Sequence, residues 1–358
     1  MAVKYKWLAE QLRKKVYDNM ERGIPKFPSE QELCLHYRVS RQTVRQSLAL
    51  LEQEGLILRR QGSGSYITGL TPGENTVGLL LVDDQDAHHT ALLDGLQQSL
   101  SQKGFSTDLH LTGNSTYAER GILSGLLESE SPPRGLIIEG VKSALPNPNL
   151  DLYRRLRSKG IPIVFLSGFY GALSQIPVIR EDDLGGSALL TKYLLQQGHR
   201  TIGAIFKSDD LQGVERFQGF AETMRESGMP VRDERICWYD TEDLDPFYSA
   251  PYDFLHRMAQ RRLQGCSAVI CHNSEVAYWL SRILPDAVMA SCENTYLGAG
   301  DPSTFTGLER NPRELGNLAA QAITDRLRGL PVSSRELPLK LIPLSPNGTP
   351  WDSSRDFS

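Results

Sequence analysis

Residues 28–67 read PSEQELCLHYRVSRQTVRQSLALLEQEGLILRRQGSGSYI, and the order of caps, apolar spacings and glycines in that stretch decides the fold of the first part of the chain. Ser29 followed three residues later by Glu32 is a capping box, which starts a short helix through Leu33 and Tyr37. Val39-Ser40 makes a turn. Ser40 caps again, and a longer helix spans Arg41 to Glu54 with Val44, Leu48 and Leu51 turned inward. Gly55 stands at the position where helices end in a left-handed residue. Leu56–Arg59 and Ser65–Thr68 then read as two strands around Gln61-Gly62-Ser63-Gly64, a β-hairpin.

Working outward, Leu8, Leu12, Val16 and Met20 recur every four residues between charged and amide side chains, so Tyr5 to Met20 reads as an amphipathic helix stopped by Gly23-Ile24-Pro25. The first turn of the Arg41 helix displays Arg41, Gln42, Thr43, Arg45 and Gln46, side chains that donate to phosphates and base edges when a helix lies in a major groove. The charge balance agrees. The chain carries a net −4, yet residues 1–70 hold 12 Lys and Arg against 7 Asp and Glu, while the rest holds 27 against 36. A basic head on an acidic body points to a polyanion that meets the head alone. The bland alternative is a packing module whose surface happens to be basic.

Beyond the head, GLTPGEN (69–75) is rich in turn formers and reads as a linker. From about Thr76, apolar strands alternate with amphipathic helices: VGLLLV (77–82), FSTDLHL, GLIIEG (135–140) and IPIVFL (161–166), with helices about 90–103, 116–128 and 150–158. A second series begins near Pro177, with helices about 185–197, 213–227, 250–263 and 274–283 and strands TIGAIF (201–206), Ile236–Tyr239, SAVICH (267–272) and 287–298. Continuous apolar strands separated by helices are the pattern of parallel sheets covered on both faces. Two such layers enclose a cleft at the strand carboxyl ends, where open α/β sheets bind ligands.

The expected fold is therefore an α+β winged helix-turn-helix domain (1–69), a linker (70–75), a two-lobed α/β domain with parallel sheets (76–345) and a polar tail (346–358). A hydrophobic share of 40% and a charged share of 23% are those of a globular protein, and no apolar run is long enough to span a bilayer. The opening MAVKYKWLAEQLRKK is not built like a signal peptide, and five cysteines without metal spacing read as reduced thiols, so a cytoplasmic, nucleoid-associated protein is expected. No cofactor, metal or membrane partner is expected, nor enzymatic activity, since no P-loop, GxSxG elbow or HExxH occurs.

The head resembles the winged-helix domain of the GntR family over almost its whole length, through the stretch quoted above. The resemblance implies contacts to double-stranded operator DNA, an inverted repeat, from Glu30, Arg38, Ser40, Arg41, Gln42, Thr43, Arg45, Gly62 and Gly64. It also implies binding as a dimer, and about 70 residues bury little besides their own core, so the homodimer is expected to form through the larger domain. The body resembles the lactose/galactose-repressor and periplasmic sugar-binding fold through VIREDDLGGSALLTKYLLQQGHRTIGAIF, GVERFQGF, AVICHNSEVA and FTGLERNPRELGNLAAQAI. A head of one family on a sensor of the other is the architecture of arabinose-responsive repressors, which LIIEGVKSALPNPN and IFKSDDLQGVERFQGF also resemble. That implies a DNA-binding repressor released by a small sugar effector, L-arabinose or a related pentose. A different sugar or sugar derivative on the same architecture is the alternative.

By that resemblance Arg216 grips sugar hydroxyls, a role its fixed fork of donors suits. Asp182 or Asp183 matches the acidic residue at the crossover between lobes, and Glu139 and Lys142 fall at a strand end facing the cleft. Asn273-Ser274 takes the place of the family's Asn-Asp pair, whose aspartate is a sugar ligand in many relatives; the serine keeps a hydroxyl and loses the carboxylate. Asp83-Asp84-Gln85-Asp86 with His88-His89 reads as a polar loop at a strand end beside the cleft rather than a metal or phosphotransfer site, and Lys207-Ser208-Asp209-Asp210 as a second loop on that side. Trp238, Tyr278 and Trp279 are assigned to packing. An aminotransferase-type enzyme on such a head would need a lysine in a cofactor-binding context, which the body lacks. A sugar carrier would leave the head without use.

Overall fold

Leu8, Leu12 and Val16 share one stripe of the first helix, and all three are fully buried. The head that they organise is seen in a computed structural model, which describes residues 2–21, 26–54, 56–60, 64–67, 75–83, 87–244, 251–293 and 305–343. It runs α1 (Ala2–Glu21), β1 (Lys26–Phe27), α2 (Glu30–Tyr37), α3 (Arg41–Gln53), β2 (Ile57–Arg60) and β3 (Gly64–Ile67). Both caps form. Ser29 Oγ accepts from the Glu32 amide while the Glu32 carboxylate accepts from the Ser29 amide, and Ser40 Oγ accepts from the Thr43 amide. The hairpin gains a third strand that pattern reading missed, since two-residue β1 pairs with β3 and inserts Phe27 into the core. Gly55, Gly62, linker residues 70–74 and the tail lie outside the described residues.

The body continues with β4 (Thr76–Leu81), α4 (Ala87–Gln102), β5 (Ser106–Leu111), α5 (Thr116–Glu128), β6 (Gly135–Glu139), α6 (Leu150–Ser158), β7 (Ile163–Leu166) and β8 (Val178–Glu181). Then come α7 (Asp183–Gln196), β9 (Ile202–Lys207), α8 (Leu211–Glu226), β10 (Ile236–Tyr239), α9 (Pro251–Met258), β11 (Ala268–Cys271), α10 (Ser274–Ile283) and β12 (Val288–Ser291). The chain closes with β13 (Thr306–Glu309), α11 (Pro312–Leu327), β14 (Arg335–Leu337) and β15 (Lys340–Ile342). One sheet has the order β14-β8-β7-β6-β4-β5 and the other β10-β9-β11-β12-β13-β15. All pairings are parallel except β13 with β15. Each sheet is packed on both faces, with one apolar cluster per face.

The boundary between lobes differs from the expected one. β8 belongs to the first sheet, so the chain crosses at Glu181–Asp183 rather than near Pro177. It then returns: α11 packs on α4 beneath the first sheet, contributing Leu315, Ala319 and Ile323 to that core. Strands β14 and β15 lie one in each sheet, so three crossings lie side by side, and the Asp182 amide donates to the Leu337 carbonyl at 2.8 Å. These three crossings form the hinge.

Candidate DNA-reading surface and effector cleft

On the head, Arg41, Gln42 and Arg45 are exposed along the start of α3, with Thr43 half-buried beside them. Ser40 serves the helix rather than standing free: besides capping, its hydroxyl shares a 2.9 Å hydrogen bond with Thr43 Oγ1. Arg38 ends α2 in a left-handed conformation, φ +51°, and its side chain is exposed. Glu30 is an acid on a surface expected to meet phosphates. Its carboxylate accepts from Arg45 Nε at 2.9 Å, so it steers that guanidinium. Gly64 opens β3 opposite Arg60, and Gly62 lies outside the described residues.

In the body, a cavity of about 360 Å³ opens between the carboxyl ends of the strands of both sheets. The first lobe contributes Val82, His88, His89, Glu139 and Ser167, the second Lys207, Asp210, Arg216, Tyr239, His272, Asn273 and Glu293, and the crossing after β13 supplies Arg310. Local packing explains Arg216. In α8 a β-carbon at Gly213 would strike the Lys207 carbonyl, and one at Gly219 the Leu184 carbonyl of α7, so the helix lies hard against β9 and α7 with Arg216 between these two contacts.

Arg216 is 1% exposed. Its Nε donates to Asp183 Oδ1 at 2.7 Å, one terminal nitrogen donates to the His272 carbonyl at 2.7 Å, and the other to Glu293 Oε1 at 3.1 Å. Glu293 also accepts from Arg310, which pairs in turn with Glu181 at the end of β8. Asp183, Arg216, Glu293, Arg310 and Glu181 thus form an alternating chain of charges running from the cleft floor into the hinge. Burial opposes charge on Glu293, but Arg310 and Arg216 hold its carboxyl well below the usual range. Burial beside those same arginines pushes His272 well below its ordinary value, and burial beside Arg310 lowers His88. Burial likewise opposes charge on Glu139, yet His89 and the Val82 amide, which donates at 2.9 Å, bring its carboxyl below the ordinary value.

The expected cleft residues divide. Glu139, Arg216 and Asn273 line the cavity. Asp183 stands behind Arg216, and Asp182 caps α7 by accepting from the Gly185 amide at 2.7 Å; neither lines the cavity. Asn273 also caps α10, with Oδ1 accepting from the Val276 amide. Ser274 is buried off the cavity wall and donates to the Glu293 backbone carbonyl at 2.5 Å, while Glu293 itself lines the cavity. Lys142 does not line the cavity; its ammonium bridges to Glu242 of the other lobe at 2.8 Å. His88 and His89 sit on α4 at the cavity, and among the described residues no group of His, Cys, Asp or Glu is placed to hold a metal ion.

Trp238 packs edge-on with Phe217 away from the cleft. Sequence reasoning missed Glu181, Glu293, Arg310 and His272. Glu181 directly precedes the two aspartates singled out and Arg310 lies in a quoted segment, but ENTY around Glu293 carries no periodicity.

Two family descriptions match this chain: bacterial regulatory proteins of the gntR family over residues 4–67, and periplasmic binding proteins and sugar binding domain of the LacI family over residues 74–285. The arabinose metabolism transcriptional repressor of Geobacillus stearothermophilus is 31% identical over 89% of this chain and 90% of its own length. That of Halalkalibacterium halodurans is 30% identical over 90% and 89%. Among solved structures, the complex of the transcriptional regulator CelR with cellobiose superposes with a TM-score of 0.64 at 20% identity, over 85% of this chain and 90% of that one. Among the described residues no helix is long and apolar enough to cross a membrane.

Proposed function

Since the chain belongs to the family that joins a gntR-type regulatory head to a LacI-type sugar-binding body, and is a DNA-binding, sugar-responsive transcription repressor, we propose that its effector is L-arabinose and that the sugar releases the protein from operator DNA. The reading takes the active form as a homodimer joined through the sensor on an inverted repeat. The head contributes Arg38, Ser40, Arg41, Gln42, Thr43 and Arg45, with Glu30 orienting Arg45 and the wing at Gly62 and Gly64 approaching the backbone. In the cleft, Arg216, Glu139, Asn273 and Glu293 meet sugar hydroxyls, and Asp183 fixes Arg216 from behind.

The observation that carries a neutral sugar over a sugar phosphate is the pairing of the cleft cations. Among the described residues the three that line the cavity, Lys207, Arg216 and Arg310, each already face a carboxylate. Asp83, Glu139, Asp210, Asp240, Glu275 and Glu293 line the same space. A phosphate entering there meets repulsion and finds no spare cation. A polyol offers donors to the carboxylates and acceptors to the guanidinium edges, which suits prepaired groups.

Calorimetric titration of the full-length protein with L-arabinose, other pentoses, hexoses and sugar phosphates, with and without a palindromic operator fragment, tests this. The expected result is saturable L-arabinose binding, no heat from the phosphates, and weaker sugar affinity on DNA by the factor by which sugar weakens DNA affinity. Binding of a sugar phosphate in preference to L-arabinose would sink the assignment.

A further inference from the structure

Resting on the reading of the cleft as an effector site, we propose that Asn114 is the closure residue of the sensor, one side chain that ties the lobes together at the edge farthest from their hinge and sets how readily the cleft shuts. Asn114 follows β5, the outer strand of the first sheet, and is 2% exposed. Its amide faces both ways. Oδ1 accepts from the Lys142 amide of its own lobe at 2.7 Å, while Nδ2 donates to Thr241 Oγ1 at 2.7 Å, Asp210 Oδ1 at 3.1 Å and Asp209 Oδ2 at 3.5 Å on the other.

The neighbouring contacts also cross between lobes. The Ala144 amide donates to the Asp209 carbonyl at 3.2 Å, the Leu211 amide to Ser143 Oγ at 2.9 Å, and Lys142 Nζ lies 2.8 Å from Glu242. The loop that makes them is braced from its own side, because Tyr170 OH accepts from the Val141 amide at 2.8 Å and donates to fully buried Glu119 at 2.7 Å.

Two features distinguish this cluster from ordinary packing. First, Asn114 and Lys142 both hold positive φ, +54° and +42°, without being glycine. Such conformations persist only where surrounding contacts over-determine them, and they gather at clamps and switches. Second, its place in the topology gives it leverage. The hinge crossings leave from β8, β14, β13 and β15 at one edge of each sheet, whereas Asn114, Asp209 and Thr241 follow β5, β9 and β10 at the opposite edges. A rotation about the hinge separates those edges most, so contacts there report closure most strongly. Glu242 is 58% exposed, so the Lys142 pair adds little. The buried amide with its charged acceptors carries the rest.

If only the closed form grips the sugar, loosening Asn114 weakens apparent affinity by the lost fraction of closed molecules, with no change in any sugar contact. Glycine is the informative replacement because it accepts φ +54° without strain and removes only the amide. The test is residue-resolved hydrogen exchange on the full chain, with calorimetry against L-arabinose. In Asn114→Gly the interlobe amides of Ala144 and Leu211 should exchange about tenfold faster or more, with Ile137 in β6 and Ala204 in β9 unchanged, and L-arabinose affinity should fall about tenfold. Thr241→Val, which removes one hydroxyl, should speed the same amides in smaller measure. Unaltered exchange at Ala144 and Leu211 in both variants overturns the proposal, as does faster exchange with unaltered affinity. Should the unmodified protein give no heat with L-arabinose, the effector assignment fails, and the exchange result alone decides the role of Asn114.

Discussion

Arginine meets a carboxylate at both ends of this molecule, and on the function proposed above the two pairs serve opposite purposes. Arg45 and Glu30 lie 2.9 Å apart on the head with side chains 64% and 26% exposed; Arg216 and Asp183 lie 2.7 Å apart beneath the cleft at 1% and 4%. The first pair is built to be broken. A guanidinium that reads DNA must give up its local partner for a phosphate or a base edge, and an exposed pair costs little to open. The second is built to last. A guanidinium under a sugar must stay where its donors are useful, and burial makes release from its carboxylates expensive.

The largest effect that would test this contrast is at Arg216. Arg216→Ala leaves Asp183 and Glu293 buried with one cation fewer, a loss of about 3–5 kcal/mol in sensor stability by analogy with broken buried pairs. Chemical denaturation monitored in the sensor should show it, along with lost effector binding and operator binding that no longer responds to sugar. A loss of less than about 1 kcal/mol would mean that the chain of charges is slack and that the two pairs differ in exposure alone.

A second difference appears in acid. His272 is buried among Arg216, Glu293, Lys207 and Arg310, and His88 among Arg310, Glu293, His89 and Glu181; burial, helped by the arginines, holds both below the ordinary value of 6.5. The unfolded chain binds protons at these positions as pH drops below 6.5 while the folded sensor does not, so stability falls with falling pH from that point. Each such histidine contributes a slope of up to about 1.4 kcal/mol per pH unit. Glu293 works in the same direction lower down: its depressed carboxyl adds stability that is complete above the usual carboxylate range and declines as pH falls below 4.5. Scanning calorimetry between pH 7 and pH 5 should move the sensor transition down, and His272→Gln should flatten that dependence. An identical dependence in the variant would place the acid sensitivity elsewhere.

The same contrast explains what could be read from residues alone. In the head, the proposed function follows local order: Ser29, Glu32 and Ser40 set the helix starts, and the side chains proposed to face DNA fall within one turn or two of those caps. The missed strand Lys26–Phe27 is too short for any alternation to show. In the body, the strand and helix order was legible because each sheet is covered on both faces, which leaves unbroken apolar runs. The lobe boundary was not. β8 looks like the start of a second series, and only its pairing with β7 assigns it to the first sheet. The cleft was legible where a motif fixes geometry, as in Gly213, Arg216 and Gly219. It was illegible where a charge depends on partners far away in sequence. Glu293 and Arg310 are polar residues beside turns until the fold sets them against Glu181 and Arg216.

The smallest expected effect is also the sharpest discriminator on the head. If Glu30 merely steers Arg45, then Arg45→Ala should weaken operator binding by about 1–3 kcal/mol and flatten its salt dependence, while head stability changes by less than about 1 kcal/mol. Glu30→Ala should leave the arginine available and affinity nearly intact, with less discrimination between operator and unrelated DNA because the guanidinium is no longer held in one direction. In the double variant Glu30→Ala should then have no further effect, a coupling that a double-mutant cycle of operator affinities measures directly. If Glu30 touches a base itself, as by accepting from a cytosine amine, its removal weakens specific binding even without Arg45, and the cycle becomes additive. Additivity would thus transfer sequence reading from the arginine to the acid, and the exposed pair would join two independent contacts rather than one contact and its guide.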